Sequence, residues 1–386
     1  MRDGPALILL HGGGATGEAE GMVARARLAA AGVSARAARE GGFGNVVLAT
    51  NDAGVGDDSS YSVDHDAPGQ PFSLQKRVLG LVEKLDVEAV AVMGAGALPF
   101  LKAEDYAAVR EALGGGSNVA VTNNFYSSDL TGWSPATAIA RVGPFERDNV
   151  LPRRLRDEAG CDVTVLPRSV RTAFDLDTPA DLIVLALSEA TPEAIREALP
   201  PEGSLPLAPY RALMPLLCDP DAEILVAGRV GSATWAHLER ETACRVRLVS
   251  EERGMASAAE GHTPHSLVGR LLEEVGMERF ADELASLADA VVLDTRVLLA
   301  HAGSQASRED RFQGDLLAPE KVSDPWLRDL TAALAAAEVP VLAGGHSLLS
   351  GGLMALADQA WLETTGAWES RRRRTRKKAT IPGGGP

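Results

Sequence analysis

Two carboxylates spaced two residues apart, Asp175 and Asp177, form the stretch of this sequence best suited to chemistry. They follow one apolar run, residues 162–166, and precede another, residues 182–187. Residues two apart in an extended segment point to the same face, and carboxylate oxygens are ligands that Mg²⁺ accepts. The Thr-Pro pair that comes next suits the start of a helix. The spacing therefore indicates either a metal-binding turn or a turn that only begins a helix.

Residues 174–182 resemble the closing signature of small nucleotidyltransferases with a Rossmann-like sheet, the guanylyltransferases that act on molybdopterin or phospholactate and their relatives. The resemblance covers roughly residues 1–187 and rests on the order of elements and on this motif. It implies that Asp175 and Asp177 are the catalytic and metal-binding residues, with Mg²⁺ as the cofactor. It also implies an NTP as one substrate and a small phosphorylated metabolite as the acceptor.

A glycine-rich loop, residues 11–17, lies between the first apolar strand and the first helix, where backbone N–H groups can approach phosphates. The family places its nucleotide-binding loop here. Where that loop usually carries an Arg and a following Lys, this sequence has Glu18 and Glu20, and the first bases nearby are Arg25 and Arg27. The resemblance implies these nucleotide-binding residues: His11, Gly12, Gly13, Gly14, Thr16, Arg25 and Asn51.

The turn after the third strand departs from the family in a way that bears on the metal. The family typically shows G-x-D-x-P-L-L here, and its Asp binds the catalytic Mg²⁺. Laying Pro99 on the family proline puts Ala97 in the place of that Asp. A methyl group cannot bind Mg²⁺, which takes oxygen ligands. Either Asp129, Asp175 or Asp177 substitutes, or the usual chemistry is lost.

A polar cluster follows the strand at residues 119–122, at the end of a strand where open α/β sheets bind ligands. A structural turn and a ligand contact are equally good interpretations of it. On the second interpretation the residues that bind the acceptor are Asn123, Asn124, Ser127, Ser128 and Asp129.

The second half of the sequence repeats a strand–helix pattern from residue 223 onward and resembles no family that we recognise. Two glycine-rich turns each lie between a strand and a helix, and together they could line one anion site through helix N-termini. Short connections that simply need glycine are the alternative. The predicted anion loop comprises Gly228, Gly231, Ser232, Gly345, His346 and Ser347.

The turn at residues 345–349 also resembles a nucleophile elbow, G-x-S-x-G. Leu349 replaces its last glycine, and no histidine follows His346, although the triad of that fold needs one after the serine. Both departures argue against a hydrolase of this type, and the turn remains a candidate for holding a ligand.

Composition limits the remaining classes. The 386 residues carry a formal net charge of −15, although the terminal run at residues 371–378 contains seven bases. An acidic body argues against specific nucleic-acid binding. No apolar run approaches the roughly 18 residues of a membrane helix, and three scattered cysteines without a C-x-x-C pair fit a reducing compartment. We expect a cytoplasmic protein without a membrane partner, and a homodimer is one option for its assembly.

The pattern of elements predicts an α/β protein with two Rossmann-like three-layer domains and mostly parallel sheets, the first of them nucleotidyltransferase-like. We expect the first domain at residues 1–187, a Pro-rich linker at 188–222 and the second domain at 223–366. A disordered basic tail is expected at 367–386.

Two functions remain open. The first is Mg²⁺-dependent transfer of a nucleotidyl group from an NTP to a small phosphorylated acceptor. The second is a catalytically degenerate protein that keeps the fold and binds a nucleotide or regulates. Ala97 and the acidic first loop favour the second, whereas Asp175, Asp177 and residues 123–129 favour the first.

Overall fold

The computed structural model describes residues 4–67, 73–145, 148–201, 203–252 and 264–378, with the backbone alone for residue 148 and for residues 366–378. The chain divides into two compact units. Unit 1 comprises residues 4–186 and 190–204, and unit 2 comprises residues 187–189 and 205 onward. The predicted α/β class with mostly parallel sheets is confirmed.

Unit 1 contains a seven-stranded sheet in the order β3-β2-β1-β4-β6-β5-β7 among the described residues. β6 runs antiparallel to β4 and β5, and every other pair is parallel. The carboxyl ends of β1, β2, β4 and β5 therefore meet at one edge. The strands are β1 (Ala6–His11), β2 (Asn45–Thr50), β3 (Ser62–His65), β4 (Val90–Gly94), β5 (Val119–Thr122), β6 (Leu130–Ser134) and β7 (Asp162–Val165).

Helices cover both faces of this sheet because alternate residues of its central strands are buried on opposite sides. Ile8 of β1 packs in a core with α2 and α4, whereas Leu7 and Leu9 pack in a second core with α1 and α3. Continuous apolar strands are what a parallel sheet buried on both faces requires. The helices are α1 (Glu18–Glu40), α2 (Leu74–Leu85), α3 (Ala103–Gly114), α4 (Leu151–Ala159), α5 (Val170–Ala173), α6 (Pro179–Leu187) and α7 (Glu193–Ala198).

Unit 2 has a four-stranded parallel sheet in the order β11-β10-β8-β9. One face packs against α10, α11, α12 and α14 in a single apolar core, and α8 contacts β8 and β11. The strands are β8 (Glu223–Gly228), β9 (Arg245–Ser250), β10 (Ala290–Asp294) and β11 (Val341–Gly344). The helices are α8 (Leu207–Leu217), α9 (Ser232–Glu241), α10 (Leu267–Val275), α11 (Met277–Ala285), α12 (Thr295–His301), α13 (Arg308–Asp315), α14 (Pro325–Ala335) and α15 (Leu353–Lys378).

Several segments differ from the expectation. The polar stretch at residues 53–67 contains the edge strand β3 although it has no long apolar run, and Asp64 of this strand accepts hydrogen bonds from Arg77 and Lys84. β6 has the sequence LTGWS, which lacks an alternating apolar pattern, and its pairing partners fix it instead.

No helix of the described residues is long and apolar enough to cross a membrane.

The segments flanking unit 2 also differ from the expectation. Residues 188–222, expected as a linker, contain α7 in unit 1 and α8 in unit 2. The tail expected to be disordered from residue 367 continues the backbone of α15 to Lys378, since Arg and Lys are good helix formers. Residues 379–386 of that tail lie outside the described residues.

The division into units predicts that a fragment containing all of unit 1 folds alone and that a shorter fragment is less stable to heat. A fragment of residues 1–204 should melt cooperatively. A fragment of residues 1–190 should melt at a lower temperature, because it lacks α7, which packs on α1 and buries Ile195 completely. Burying an isoleucine contributes about 1.5–3 kcal/mol. Differential scanning calorimetry of both fragments checks this. Equal melting temperatures, or an unfolded longer fragment, would contradict the division into units.

Candidate active site

The segment that carries the two spaced carboxylates is fixed against the turn that follows β4. Leu98 N donates to Phe174 O at 3.2 Å, and Leu176 N donates to Gly96 O at 3.1 Å. These two bonds make an isolated antiparallel bridge between Ala97 and Asp175. Phe174 and Leu176 are fully buried, so the residues that alternate with them turn the other way. Asp175 thus lies beside the alanine that occupies the family's metal position.

A buried aspartate orients the turn that joins this segment to α6. Asp181 Oδ2 accepts from Asp177 N at 3.0 Å, from Thr178 N at 2.7 Å and from Thr178 Oγ1 at 3.0 Å. Asp181 is completely buried and lies in the first turn of α6, where a carboxylate also interacts favourably with the helix dipole. Its role is to hold the backbone at Asp177.

Three carboxylates interact electrostatically at this point. Burial first, then the negative charges of Asp177 and Asp129, raises the pKa of Asp175 well above its usual value. A hydrogen bond between the side chains of Asp175 and Asp177 acts in the same direction, and Arg27 acts against it. Like charges in one partly desolvated place disfavour simultaneous ionisation. The neutral form of Asp175 therefore persists to a higher pH than that of an ordinary aspartate.

Asp129 is held in the cluster by the residue that ends β5. Asn123 Nδ2 donates to Asp129 Oδ2 at 2.8 Å, and Asn123 Oδ1 accepts from Asp129 N at 2.9 Å and from Leu130 N at 3.1 Å. Asn123 is fully buried and also donates to Thr172 O. Arg168 Nη1 donates to the carbonyl of Asn123 at 3.2 Å. Asn123 therefore fixes the loop, and Asp129 faces the other carboxylates.

The other residues predicted to bind the acceptor serve the loop itself. Ser128 is buried, and its Oγ lies 2.8 Å from Thr122 Oγ1 and 2.7 Å from Thr131 Oγ1. Asn124 Oδ1 accepts from Tyr126 N at 3.2 Å. Ser127 is partly exposed. Of the predicted set, Asp129 has the direct electrostatic link to Asp175.

Arg27 of α1 acts electrostatically both on His11, where the glycine-rich loop begins, and on the carboxylate Asp175. It projects from α1 against Gly96, where any Cβ would lie 2.7 Å from Arg27 Cγ and 2.7 Å from Leu176 O. Its charge acts on both Asp175 and His11. Arg25 is exposed, so Arg27 is the α1 base that reaches the site. The sequence signal was only that both arginines follow the loop.

His11 ends β1 at the same edge and is almost completely buried. Burial first, then Arg27, lowers the pKa of His11, with Asp52 opposing. The imidazole is therefore neutral near pH 7. Its Nδ1 is buried without a hydrogen-bond partner among the described residues. A buried polar atom of this kind calls for a partner.

The glycine-rich loop is shaped by its own backbone. Gly13 N donates to Asn51 Oδ1 at 2.6 Å, and a Cβ on Gly13 would lie 2.8 Å from Asp52 Cβ. Gly14 has a φ of +100°, which favours glycine, and a Cβ on Gly12 would meet nothing within 4 Å. Asn51 thus supports the loop, and the loop presents open backbone at Gly12.

Glu20 occupies the start of α1. Its Oε2 accepts from Thr16 N at 2.9 Å and lies 3.3 Å from Thr16 Oγ1. Glu20 is buried, and the N-cap Gly17 supplies no side-chain bond. A carboxylate thus stands where a helix N-terminus would otherwise attract a phosphate.

In unit 2 the predicted anion loop lies past the carboxyl ends of β8 and β11. Gly228 ends β8 with a φ of +139°, Gly231 is the N-cap of α9, and Ser232 is its exposed first residue. Gly345 and Ser347 are buried. His346 Nδ1 lies 2.8 Å from Arg229 O, so the two predicted turns touch.

No family model matches the sequence, and no curated protein matches it. Solved structures do match. A protein provisionally described as a nucleotide-diphospho-sugar transferase, from Desulfovibrio desulfuricans, is 13% identical over 51% of this chain and 99% of its own, with a TM-score of 0.36. A nucleotidyl transferase from Methanothermobacter is 12% identical over 44% and 90%, with a TM-score of 0.34. A cytidylyltransferase from Leptospira borgpetersenii is 14% identical over 48% and 85%, with a TM-score of 0.35.

These neighbours are of the class that the sequence resemblance names, and each spans about half of this chain. The rest of the chain is unrecognised. Because identities are low and each TM-score is below 0.5, the activity of this chain rests on its own residues.

The carboxylate cluster predicts that Asp175→Asn stabilises the protein in metal-free buffer at pH 8. Because the folded pKa of Asp175 is raised, its contribution to stability is complete below the unfolded pKa of about 3.9 and is lost as the pH rises through the folded value. Asparagine does not ionise, so Asp175→Asn does not lose stability in this way as the pH rises. Its melting temperature should therefore exceed that of wild type at pH 8 and approach it near pH 4.

Thermal melts with EDTA at both pH values check this, with Asp162→Asn on the exposed edge strand β7 as the matched charge control. A melting temperature of Asp175→Asn at or below that of wild type at pH 8 would show that the ionised carboxylate is not under strain.

Proposed function

We propose that unit 1 is a cytoplasmic enzyme that transfers a nucleotidyl group from an NTP to a small phosphorylated acceptor in the presence of Mg²⁺. The observation that carries this proposal is the backbone bridge that fixes Asp175 beside Ala97, with Asp177 and Asp129 next to it. A carboxylate from a different segment thereby stands close to the place where the family ligand is missing.

The residues present fit a magnesium ion. Mg²⁺ is commonly bound through one or two carboxylates together with substrate phosphates and water. Asp175 and Asp177 supply two carboxylates within hydrogen-bonding reach of each other. No group of three or more potential metal-binding side chains forms in the described part of the chain, so phosphates and water would complete the ligand set. Burial and the charges of Asp177 and Asp129 raise the pKa of Asp175, and a cation bound by the pair would lower it.

The reaction we propose forms a bond between a phosphate oxygen of the acceptor and the α-phosphorus of the NTP. The bond from that phosphorus to the bridging oxygen breaks, and pyrophosphate leaves. When bound, the cation supplies charge neutralisation at the phosphates. The protein orients the reactants: Asp181 and the Ala97 bridge hold Asp175 and Asp177, and Asn123 holds Asp129. Positioning of this kind provides much of the catalysis of phosphoryl transfer.

The open backbone at Gly12 is the part of the glycine-rich loop that we assign to the nucleotide. A Cβ on Gly12 would meet nothing within 4 Å, so a ligand can approach the chain closely there. His11 Nδ1 offers a buried polar atom at the same edge. Arg27 lies between this loop and the carboxylates and supplies a fixed positive charge.

A second candidate function is a nucleotide-binding or regulatory protein without catalysis. Ala97 removes a ligand, and Glu20 places a carboxylate at the start of α1. Both features disfavour a tightly held triphosphate. The two functions differ in whether pyrophosphate is released after the nucleotide has bound.

Asp177→Ala should weaken Mg²⁺-dependent NTP binding by about tenfold or more, since a hydrogen bond to a charged group already contributes about 1.5–3 kcal/mol and an ion ligand at least as much. Isothermal titration of wild type and variant with GTP, ATP and CTP, with and without Mg²⁺, checks this. Asp162→Ala is the control of equal charge on an exposed strand.

Equal affinities in wild type and Asp177→Ala would make Asp177 a turn residue only. Mg²⁺-dependent binding without release of pyrophosphate, tested with a panel of phosphorylated acceptors, would favour the second candidate. No binding of any nucleotide by wild type would contradict the first candidate and would leave a regulatory role as the remaining form of the second.

Glu20→Gln should strengthen NTP binding about fivefold or more if the triphosphate approaches the start of α1. Two unit charges about 4 Å apart in water interact by about 1 kcal/mol, and a triphosphate carries several. Glutamine keeps an acceptor for Thr16 and removes the charge. The same titrations check this, with exposed Glu111→Gln on α3 as the control. Unchanged affinity would mean that the phosphates lie away from α1.

A further inference from the structure

Unit 2 has a second place where a sheet of its type can bind a ligand. Its strand order β11-β10-β8-β9 places β8 in the middle, with β9 on one side and β10 on the other. The chain therefore leaves β8 for one side of the sheet and crosses back to β10 on the other. In open parallel sheets, ligands bind outside the carboxyl ends of the strands at such a switch point.

The carboxyl ends of β8 and β10 lie in close contact at this switch point. A Cβ on Gly228, at the end of β8, would lie 2.3 Å from Asp294 Cβ, at the end of β10. Asp294 is completely buried. Glu251 N, after β9, donates to Gly228 O at 2.8 Å, but the Glu251 side chain bonds Ser266 and Val268 at the start of α10. The carboxylate at the centre of the switch point is thus Asp294.

Two arginines are clamped at this edge by buried carboxylates. Arg229 Nε and Nη2 donate to Asp294 at 2.6 and 3.1 Å. Arg296 Nη1 and Nη2 donate to Asp315 at 2.8 and 2.6 Å, and both carboxylates are essentially inaccessible to solvent. Each arginine side chain is 13% exposed. The two guanidinium groups are therefore held in fixed orientations, and each keeps a small surface accessible to solvent.

Arginine is the base paired with both buried carboxylates. A third guanidinium, that of Arg311, also acts on Asp315. Buried ion pairs are often no more stabilising than apolar residues of similar size, so stability alone is a weak reason for two of them at one edge.

Arg229 is the arginine best placed to meet a ligand. It belongs to the loop at the switch point, and its Nη1 makes no hydrogen bond within the described residues. The loop of β11 is joined to it, because His346 Nδ1 lies 2.8 Å from Arg229 O. An arginine held by a carboxylate on one edge presents its other edge in a fixed direction, which suits the oxygens of a phosphate.

We propose that the switch point of unit 2 binds the phosphate group of a small phosphorylated molecule, with Arg229 as the direct contact and Arg296 as the supporting charge. The loops at residues 228–232 and 344–347 form its walls. This site is separate from the carboxylates of unit 1 and does not depend on Mg²⁺.

Inorganic phosphate is the probe, titrated into the full-length protein without Mg²⁺ and compared with acetate at equal ionic strength. Wild type should bind phosphate with a Kd of about 1 mM or tighter and acetate more weakly. Arg229→Gln should weaken phosphate binding by about tenfold or more. Arg245→Gln is the matched control, because Arg245 pairs with Glu223 at the opposite, amino-terminal edge of the same sheet.

Hydrogen exchange of the wild-type protein keeps the test independent of how well Arg229→Gln folds. Phosphate should slow amide exchange in residues 228–232 and 344–347, and it should do so equally in Asp177→Ala, which alters only the proposed site of unit 1. No binding, equal weakening in the two arginine variants, equal binding of acetate, or protection confined to unit 1 would each overturn the proposal.

Discussion

The antiparallel bridge between Ala97 and Asp175 is the contact on which the candidate active site depends. Two backbone hydrogen bonds join segments almost 80 residues apart in the sequence, and the buried Phe174 and Leu176 anchor the second of them. Phe174 packs its ring against Phe100 at 4.9 Å. Successive side chains of an extended segment point to opposite faces, so Asp175 points away from the core that contains Phe174 and Leu176. The burial of these two apolar residues therefore positions the Asp175 carboxylate.

The electrostatics of unit 1 set stability against function. Burial and the negative charges of Asp177 and Asp129 raise the pKa of Asp175. A protein selected for stability alone would replace one of these three carboxylates, because neighbouring like charges disfavour ionisation of a partly desolvated group. The fold retains them with rigid supports at Asp181 and Asn123, whose hydrogen bonds point at backbone groups of the site. Such strain is common where charged groups serve a ligand.

Much of this architecture was predictable from the sequence, because long apolar runs identify buried parallel strands. The short strand β6 was not, since its residues contain a glycine and pair with strands on both sides only after the sheet has formed. The bridge between Asp175 and Ala97 was not predicted either, because it joins two residues that lie outside the strands of the sheet. Nor was the placement of Arg27, because it depends on how α1 packs against Gly96.

Local sequence signals could have supplied more of the site. Asp181 stands three residues after Thr178, the spacing at which a side chain reaches back to the first backbone N–H groups of a helix. Glu20 stands four residues after Thr16 in a similar relation. Both were open to prediction from spacing. The burial of His11 and its orphan Nδ1 required the neighbouring strands to be known.

The two units differ in how the negative charges of aspartates near the edges of their sheets are neutralised. Each has aspartates near the carboxyl edge of a sheet whose strands are mostly parallel. In unit 2, bidentate arginines neutralise Asp294 and Asp315, and although burial raises the pKa of Asp315, Arg296 counteracts it. In unit 1, Arg27 only partly offsets the charge of the cluster around Asp175. The cation that we propose for the first edge would lower the pKa of Asp175. The phosphate that we propose for the second would meet an arginine that Asp294 already holds in place.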